Sequence, residues 1–153
     1  MKNVFFYKLS NIDVGIAQDG GAICGVFFGR VVPAGFEKKE TPLIRKAAAQ
    51  IGEYFAGKRK KFSLPLAVSG TDFQTDVWQA LYSIPWGETR SYKDIAAQIG
   101  RPKAVRAVGM ANNRNPISII IPCHRVIGSS GDLVGYGGGL PLKKRLLDLE
   151  KPG

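Results

Sequence analysis

The sequence is short of cysteine and of long apolar runs, and each shortage excludes a class of protein. Its two cysteines, Cys24 and Cys123, are far apart and form no disulfide framework, so we expect free thiols in a reducing compartment. No run of about 18 apolar residues is present, which argues against a membrane-spanning helix. Lys8 comes too early for the apolar core of a signal peptide. We therefore expect a cytoplasmic protein with no membrane partner.

Acidic residues are also scarce. The chain has 12 Asp and Glu against 22 Lys and Arg, a net charge of +10, while 44% hydrophobic residues suffice for a folded core. Between Ile95 and Gly131 no acidic residue occurs, and the charged residues are Arg101, Lys103, Arg106, Arg114 and Arg125. Such a stretch favours a polyanionic partner, with nucleic acid first. A solvated basic face on a basic protein is the alternative.

The first 70 residues are predicted to form a strand-rich domain with one helix. Thr41 and Pro42 are typical of a helix start, and a helix over 42–56 follows. Four segments are predicted as strands: 3–9, 12–18, the end of 19–29, and the edge segment 62–68, which contains Pro65. The polar "SGTD" segment at 69–72 is the predicted boundary between domains 1–70 and 71–153.

Helical patterns dominate after that boundary. We predict a helix over 73–83 with Asp72 as its cap, and a later helix from Ser91 to Ile99. Gly100 would end the second of these, and Pro102 would start another helix that runs to about Asn112. Two helices separated by a short turn with glycine have helix-turn-helix spacing. An ordinary helical hairpin whose basic residues face water is the alternative.

The only histidine, His124, follows Cys123 at the end of the apolar segment 118–122, which we predict to be a buried strand. A thiol becomes a nucleophile when a nearby base or cation lowers its pKa. Neighbouring side chains of an extended chain point to opposite faces, so the pair needs a turn or a bridging water. A base also needs an orienting carboxylate, for which Asp148 and Glu150 are candidates. A structural cysteine beside a partly exposed histidine is the alternative.

A glycine-rich loop at 131–141 follows this pair and precedes the last predicted helix, 141–149. Glycines let a backbone approach a flat ligand closely. Tyr92 and Tyr136 are aromatic residues near the cysteine and the basic helix, which suits a base drawn out of its stack. For each tyrosine taken alone, a place in the core is the favoured interpretation.

Four segments in one ordered series, "SYKDIA", "RAVGMANNRNP", "IPCHRVI" and "GYGGGLPLKKRLLDLE", resemble the O6-alkylguanine-DNA alkyltransferases, also called methylated-DNA–protein-cysteine methyltransferases. The resemblance covers about residues 71–150, and PCHRV is the family's signature. It implies an α/β (α+β) protein with a strand-rich, ribonuclease-H-like N-terminal domain and a helical, winged-helix or helix-turn-helix C-terminal domain. Residues 1–70 resemble the family only in general character.

The resemblance implies that Cys123 takes an alkyl group from the O6 atom of guanine in one irreversible displacement, so each molecule acts once. His124 would draw off the thiol proton through a water, and Glu150 would hold His124. Asn115 would brace the active-site turn. Tyr92 would line the base pocket, help rotate the nucleotide and help guanine leave.

The resemblance also implies base flipping in double-stranded DNA that contains O6-alkylguanine, with O4-alkylthymine as a further candidate substrate and the helix-turn-helix in the minor groove. Arg106 would fill the gap left by the base. The further predicted DNA contacts are Arg101, Lys103, Arg114 and Arg125, and the predicted pocket residues are Val126, Tyr136, Gly137 and Gly138. We expect a monomer.

Two departures from the family pattern matter. Some members hold zinc through cysteine and histidine in the N-terminal domain, but this chain has only Cys24 there, so we predict no metal and no cofactor. Gly137 stands where other members carry serine, which leaves substrate size open. Two other functions remain as alternatives: a DNA lesion sensor with an inert Cys123, and a Cys–His hydrolase, which the absence of an oxyanion motif disfavours.

Overall fold

The structure is a computed structural model, and it describes residues 1–151. The chain divides into two compact units, one ending at Val68 and the other beginning at Ser69. The first is a sheet with one helix, and the second is mainly helical. Within residues 1–151, every helix is too short or too polar to cross a bilayer.

The first unit is built on a four-stranded mixed sheet. The strands are β1 (Lys2–Leu9), β2 (Ile12–Asp19), β3 (Ala22–Phe28) and β4 (Glu37–Lys38), in the order β3-β2-β1-β4. The first three strands pair antiparallel through tight turns, and β4 runs parallel to β1. The predicted strands at 3–9 and 12–18, and the one ending the segment 19–29, are therefore confirmed.

Helix α1 (Pro42–Phe55) packs on this sheet, against β1, β2 and β3. The predicted start is confirmed: the Thr41 hydroxyl accepts a hydrogen bond from the Ile44 amide at 3.1 Å, and Pro42 occupies the first turn, where an amide proton is not needed. Ile44, Ala47 and Ile51 are buried on the face that meets the sheet.

The predicted edge strand at 62–68 is wrong. The segment makes a single parallel bridge between Leu66 and Ile23, in which the Ile23 amide donates to the Pro65 carbonyl at 2.8 Å and the Ala67 amide donates to the Ile23 carbonyl at 2.9 Å. Pro65 has no amide proton to extend a ladder, so the pairing stays local.

The second unit packs three helices against one another and adds a small parallel sheet and a last helix. Its elements are α2 (Asp72–Tyr82), β5 (Arg90–Ser91), α3 (Tyr92–Gln98), α4 (Val105–Asn113), β6 (Val126–Ile127) and α5 (Leu140–Leu149). The Trp78 indole donates to the Ala111 carbonyl at 2.9 Å, which fixes α2 against α4 in the interior. The helix–turn–helix arrangement of α3 and α4 is present, as predicted.

The predicted cap of α2 needs correction, and so does the predicted start of α4, described below. Thr71, not Asp72, caps α2, because its hydroxyl accepts from the Gln74 amide at 3.1 Å while the Gln74 side chain accepts from the Thr71 amide at 3.0 Å. This capping box moves the cap one residue earlier. The cap of α3 is as predicted, since Ser91 and Asp94 form the same kind of box.

Helix α4 begins at Val105 and not at Pro102. Residues 101–104 form a turn that the Ala104 amide closes on the Arg101 carbonyl at 2.9 Å. Proline is compatible with a turn as well as with a helix start, so its position alone could not separate the two. Arg101 and Lys103 therefore lie in the turn before the helix.

Candidate active site

Cys123 is presented by a tight, buried turn rather than by the strand predicted at 118–122. The Ile121 amide donates to the Ile117 carbonyl at 3.0 Å, and the Ile120 amide donates to the Ser118 carbonyl at 2.8 Å. These bonds are local, so the backbone is satisfied without a sheet. A run of apolar residues shows burial but does not distinguish a strand from a buried turn.

Asn115 spans this turn. Its amide nitrogen donates to the Ile121 carbonyl at 2.7 Å, and its amide oxygen accepts from the Ile117 amide at 3.0 Å. Inside the turn, Ile119 has φ +73°, which is a strained conformation for a β-branched residue. Such strain persists only where the surrounding structure enforces it, and it concentrates at functional sites.

The chain coils at Cys123 into a single 3₁₀ turn, Cys123–Arg125. The extended geometry that would send the side chains of Cys123 and His124 to opposite faces is therefore absent. Cys123 is 5% exposed. Burial raises the pKa of the Cys123 thiol above its ordinary value, while hydrogen bonding by Asn115 and the positive charge of Lys143 oppose that rise. A buried thiol of this kind needs a base to become a thiolate.

His124 and Glu150 meet in the interior, as the sequence predicts. His124 Nε2 and Glu150 Oε2 are 2.7 Å apart, and the two side chains are 0% and 2% exposed. Burial lowers the pKa of His124 below its ordinary value, against the opposing effect of the hydrogen bond and charge of Glu150. A lowered pKa favours the neutral ring, which is the form that can accept a proton.

Arg125 is a correction to the predicted set of DNA contacts. Its side chain is buried, and its guanidinium donates to both oxygens of Glu150, from Nε to Oε1 at 2.7 Å and from Nη2 to Oε2 at 3.0 Å. Its Nη1 donates to the Ile84 carbonyl at 2.6 Å. The arginine is therefore placed beside the histidine and the glutamate and not on the basic surface.

Tyr92 and Lys143 both hold the loop that follows β6. The Tyr92 hydroxyl donates to the Val134 carbonyl at 3.0 Å, and the Lys143 ammonium donates to the same oxygen at 2.7 Å. Burial lowers the pKa of Lys143 to about 8. Burial also raises the pKa of Tyr92. The two donors tie the loop to α3 and α5 through one carbonyl.

Lys143 is a site residue that sequence reasoning missed. In "LKKRLLDLE" it looks like its exposed neighbour Lys144. The available signal was helical spacing, because Lys143 lies three residues before Leu146 and seven before Glu150, which places all three on one buried face.

The predicted pocket residues lie on β6 and in the loop that precedes α5. Val126 is fully buried at the start of β6. The Tyr136 ring packs edge-on against the His124 ring, with centroids 6.5 Å apart, and burial raises the Tyr136 pKa well above its ordinary value. Gly137 and Gly138 form the turn before α5. A Cβ added at Gly137 would meet no atom within 4 Å, so this position has room for the serine of other members.

The other four basic residues that were predicted to contact DNA lie on the surface around α4. Arg101 and Lys103 are in the preceding turn, Arg106 is in the first turn of the helix, and Arg114 follows its end; all four are exposed. The Arg101 guanidinium lies 5.4 Å from the centre of the Phe73 ring. Val105 and Met110 are exposed apolar side chains on the same helix, at 37% and 57%.

Two family models match this chain. One, described as the DNA binding domain of 6-O-methylguanine DNA methyltransferase, covers residues 72–152. The other, described as the ribonuclease-like domain of 6-O-methylguanine DNA methyltransferase, covers residues 13–68.

Individual proteins are similar over most of the chain. A methylated-DNA–protein-cysteine methyltransferase of Methanosarcina barkeri is 64% identical over 107 residues, which is 70% of this chain and 68% of that protein. A constitutive enzyme of that name from Bacillus subtilis is 59% identical over 116 residues, or 75% and 70%. The crystal structure of Mycobacterium tuberculosis OGT in complex with DNA has a TM-score of 0.91 and 44% identity, and covers 97% of this chain and 92% of that one.

The α+β fold, with a ribonuclease-like part and a DNA-binding part that carries a buried cysteine, defines the class as the DNA-repair methyltransferases. The chain belongs to the 6-O-methylguanine DNA methyltransferase family.

Proposed function

We propose that this protein repairs O6-alkylguanine in double-stranded DNA by transferring the alkyl group to Sγ of Cys123. In the reaction the sulfur–carbon bond forms as the carbon–O6 bond breaks, the thiol proton passes to the base, and the restored guanine takes up a proton as it leaves. The thioether has no good leaving group, so each molecule acts once. The observation that carries the proposal is the buried Cys123 beside the His124–Glu150 pair, in the part of the chain that matches the family's DNA-binding domain.

His124 is the proposed base, and its hydrogen bond selects the reactive nitrogen. Glu150 is paired with the Arg125 guanidinium, so its carboxylate acts as an acceptor and His124 Nε2 donates the proton that they share. The lone pair of the neutral ring is then on Nδ1, which takes the thiol proton through a bridging water. Asn115 holds the turn that carries the sulfur, which keeps its direction of attack constant.

Tyr92 is the proposed donor to the leaving base. Its hydroxyl donates to the Val134 carbonyl at 3.0 Å in the structure, so this hydrogen bond must be exchanged for one to the substrate. The hydroxyl can then donate to the purine and make guanine a better leaving group. Val126, Tyr136, Gly137 and Gly138 are the proposed walls of the pocket.

DNA is the proposed partner, and α4 is the proposed contact. Arg101, Lys103 and Arg114 are exposed cations that suit phosphates, and Arg106 would occupy the gap left by the flipped nucleotide. Binding through the minor groove is nearly blind to sequence, which suits a search for damage. The protein would act as a monomer, with domains 1–70 and 71–153, in the reducing cytoplasm, where Cys123 stays a thiol.

The test is intact mass after incubation with a duplex that carries one O6-methylguanine. The wild-type protein should gain one methyl group per molecule, and Cys123→Ala should gain none. Cys24→Ala is the matched control, since it removes the other thiol and should still accept the group. Binding to the damaged duplex without any gain in mass would instead leave a lesion sensor.

A further inference from the structure

The buried carboxylate of Glu150 is hydrogen-bonded to both Arg125 and His124. Arg125 donates to Oε1 and Oε2, and His124 Nε2 lies 2.7 Å from Oε2. The arginine has a third contact, to the carbonyl of Ile84, which follows α2. The guanidinium is therefore fixed at three points, and it fixes the carboxylate in turn.

We propose that Arg125 is a positioning residue for alkyl transfer, which orients the Glu150 carboxylate and balances its charge beside His124. The proposal rests on the proposed function, because it assigns a role in the same proton transfer. Arg125 touches neither the sulfur nor the substrate in this role, and it acts through Glu150 and His124.

The geometric part of the proposal follows from the shape of the guanidinium. Its planar fork matches a carboxylate with two parallel hydrogen bonds, which fixes both the position and the plane of the carboxylate. Because Arg125 holds both carboxylate oxygens, Oε2 accepts the hydrogen bond from His124 Nε2 in one fixed orientation. The imidazole therefore has a fixed tautomer and a fixed ring plane, which leaves Nδ1 as the nitrogen that accepts the thiol proton.

The electrostatic part follows from the charges around the imidazole. Glu150 raises the His124 pKa, whereas burial, Arg125 and Lys143 lower it. Without Arg125, the carboxylate would be balanced by a protonated His124, since a buried charge needs a partner. A protonated imidazole accepts no proton, so the cation of Arg125 keeps the base competent at neutral pH.

Other groups also act on the histidine. Lys143, on α5, lowers its pKa through its charge, Tyr136 packs on its ring from the loop, and Cys123 precedes it in the 3₁₀ turn. The end of α2 contributes the Ile84 carbonyl, which is uncharged and contacts Arg125. Because none of these groups changes in an Arg125 variant, a shift in the titration of His124 reports on Arg125.

A structural role is the competing explanation, since Arg125 also connects the end of α2 to the end of α5. A role limited to stability would lower the melting temperature and the fraction of active protein. It would leave unchanged the rate constant and the pH profile of the molecules that fold. Single-turnover rate constants and the titration of His124 therefore separate the two explanations.

The experiment compares wild type, Arg125→Lys and Arg125→Gln as tag-free proteins. The single-turnover rate constant of methyl transfer is measured from pH 5 to 9, and the imidazole of His124 is titrated by NMR. The chain has one histidine, so its signals need no assignment. Arg30→Gln is the matched control, because it removes an exposed arginine–carboxylate pair, Arg30–Asp13 at 3.0 Å. It should react and titrate as wild type does.

In Arg125→Gln, the pKa of His124 and the acidic limb of the rate profile should both rise, by about one pH unit. Arg125→Lys keeps the charge but not the fork, so its acidic limb should stay near that of wild type. Its rate should fall, by up to about a hundredfold. A folded Arg125→Gln whose histidine titrates as in wild type would overturn the proposal.

If Arg125→Gln does not fold, Arg125→Lys decides alone, and transfer at the wild-type rate overturns the proposal. A negative result for Arg125 can be told apart from a failure of the proposed function. A wild-type protein that takes up no methyl group would refute the function, whereas Arg125 is tested by differences among proteins that do react.

Discussion

At the scale of single residues, the site depends on the buried Glu150 carboxylate, which pairs with His124 and Arg125. Removing the charge of this carboxylate tests its importance. Glu150→Gln leaves Arg125 buried without its counter-charge, which should cost about 3–5 kcal/mol in the free energy of unfolding. It also removes the group that raises the His124 pKa, so the base weakens and methyl transfer slows. Urea unfolding at pH 7 and single-turnover kinetics measure the two effects.

The control for that substitution lies two residues earlier on the same helix. Asp148 pairs with Lys144 at 2.8 Å and with Lys151 at 3.1 Å, in exposed contacts that solvent screens. Asp148→Asn should therefore unfold and react as wild type does. Equal losses in the two variants would contradict the view that burial makes Glu150 important.

At the scale of elements, the conformation of the loop between β6 and α5 should depend on Gly135. Gly135 has φ +53°, and a Cβ there would lie 3.2 Å from the Asn113 side-chain oxygen. Gly135→Ala should destabilise the protein by about 1–2 kcal/mol. It should also slow methyl transfer, because it displaces the neighbouring Val134 carbonyl, which Tyr92 and Lys143 share. Thermal unfolding and the rate constant of transfer provide the measurements.

Gly137→Ala is the matched stability control in the same loop. A Cβ at Gly137 meets no atom within 4 Å, and its φ lies outside the strained range. Its free energy of unfolding should remain that of wild type. If both alanine variants are as stable as wild type, the loop tolerates a side chain at Gly135 and its conformation is not fixed by that glycine.

At the scale of the whole molecule, the net charge of +10 predicts binding to DNA that weakens steeply with salt. Lys103→Gln, in the turn before α4, should weaken binding to any duplex and reduce the slope of log K against log salt by about 1. Lys8→Gln, on β1 in the first unit, removes the same charge elsewhere. Fluorescence anisotropy over a salt series compares the two variants. A slope that falls equally in both would assign the effect to net charge and not to α4.

Local features of the sequence predicted much of the fold. The alternation in 3–9 and 12–18, the Thr41 and Ser91 caps, and the helix–glycine–helix spacing depend on short-range geometry, which neighbouring residues determine. Predictions were wrong where two local structures suit the same residues. Pro102 fits a turn or a helix start, and the isoleucines at 119–121 fit a strand or a buried turn.

The sequence by itself determined the family resemblance, the Cys123–His124 pair, the candidacy of Glu150 and the basic character of α4, because these depend on residue identity and spacing. Only the tertiary structure decided which basic residues face inward. In sequence, Arg125 and Lys143 look like the exposed Arg114 and Lys144. Their burial depends on contacts with residues elsewhere along the chain, such as Ile84, Val134 and Glu150. Burial is a property of the packed molecule, and it makes a predicted DNA contact, Arg125, a partner of the buried Glu150 carboxylate.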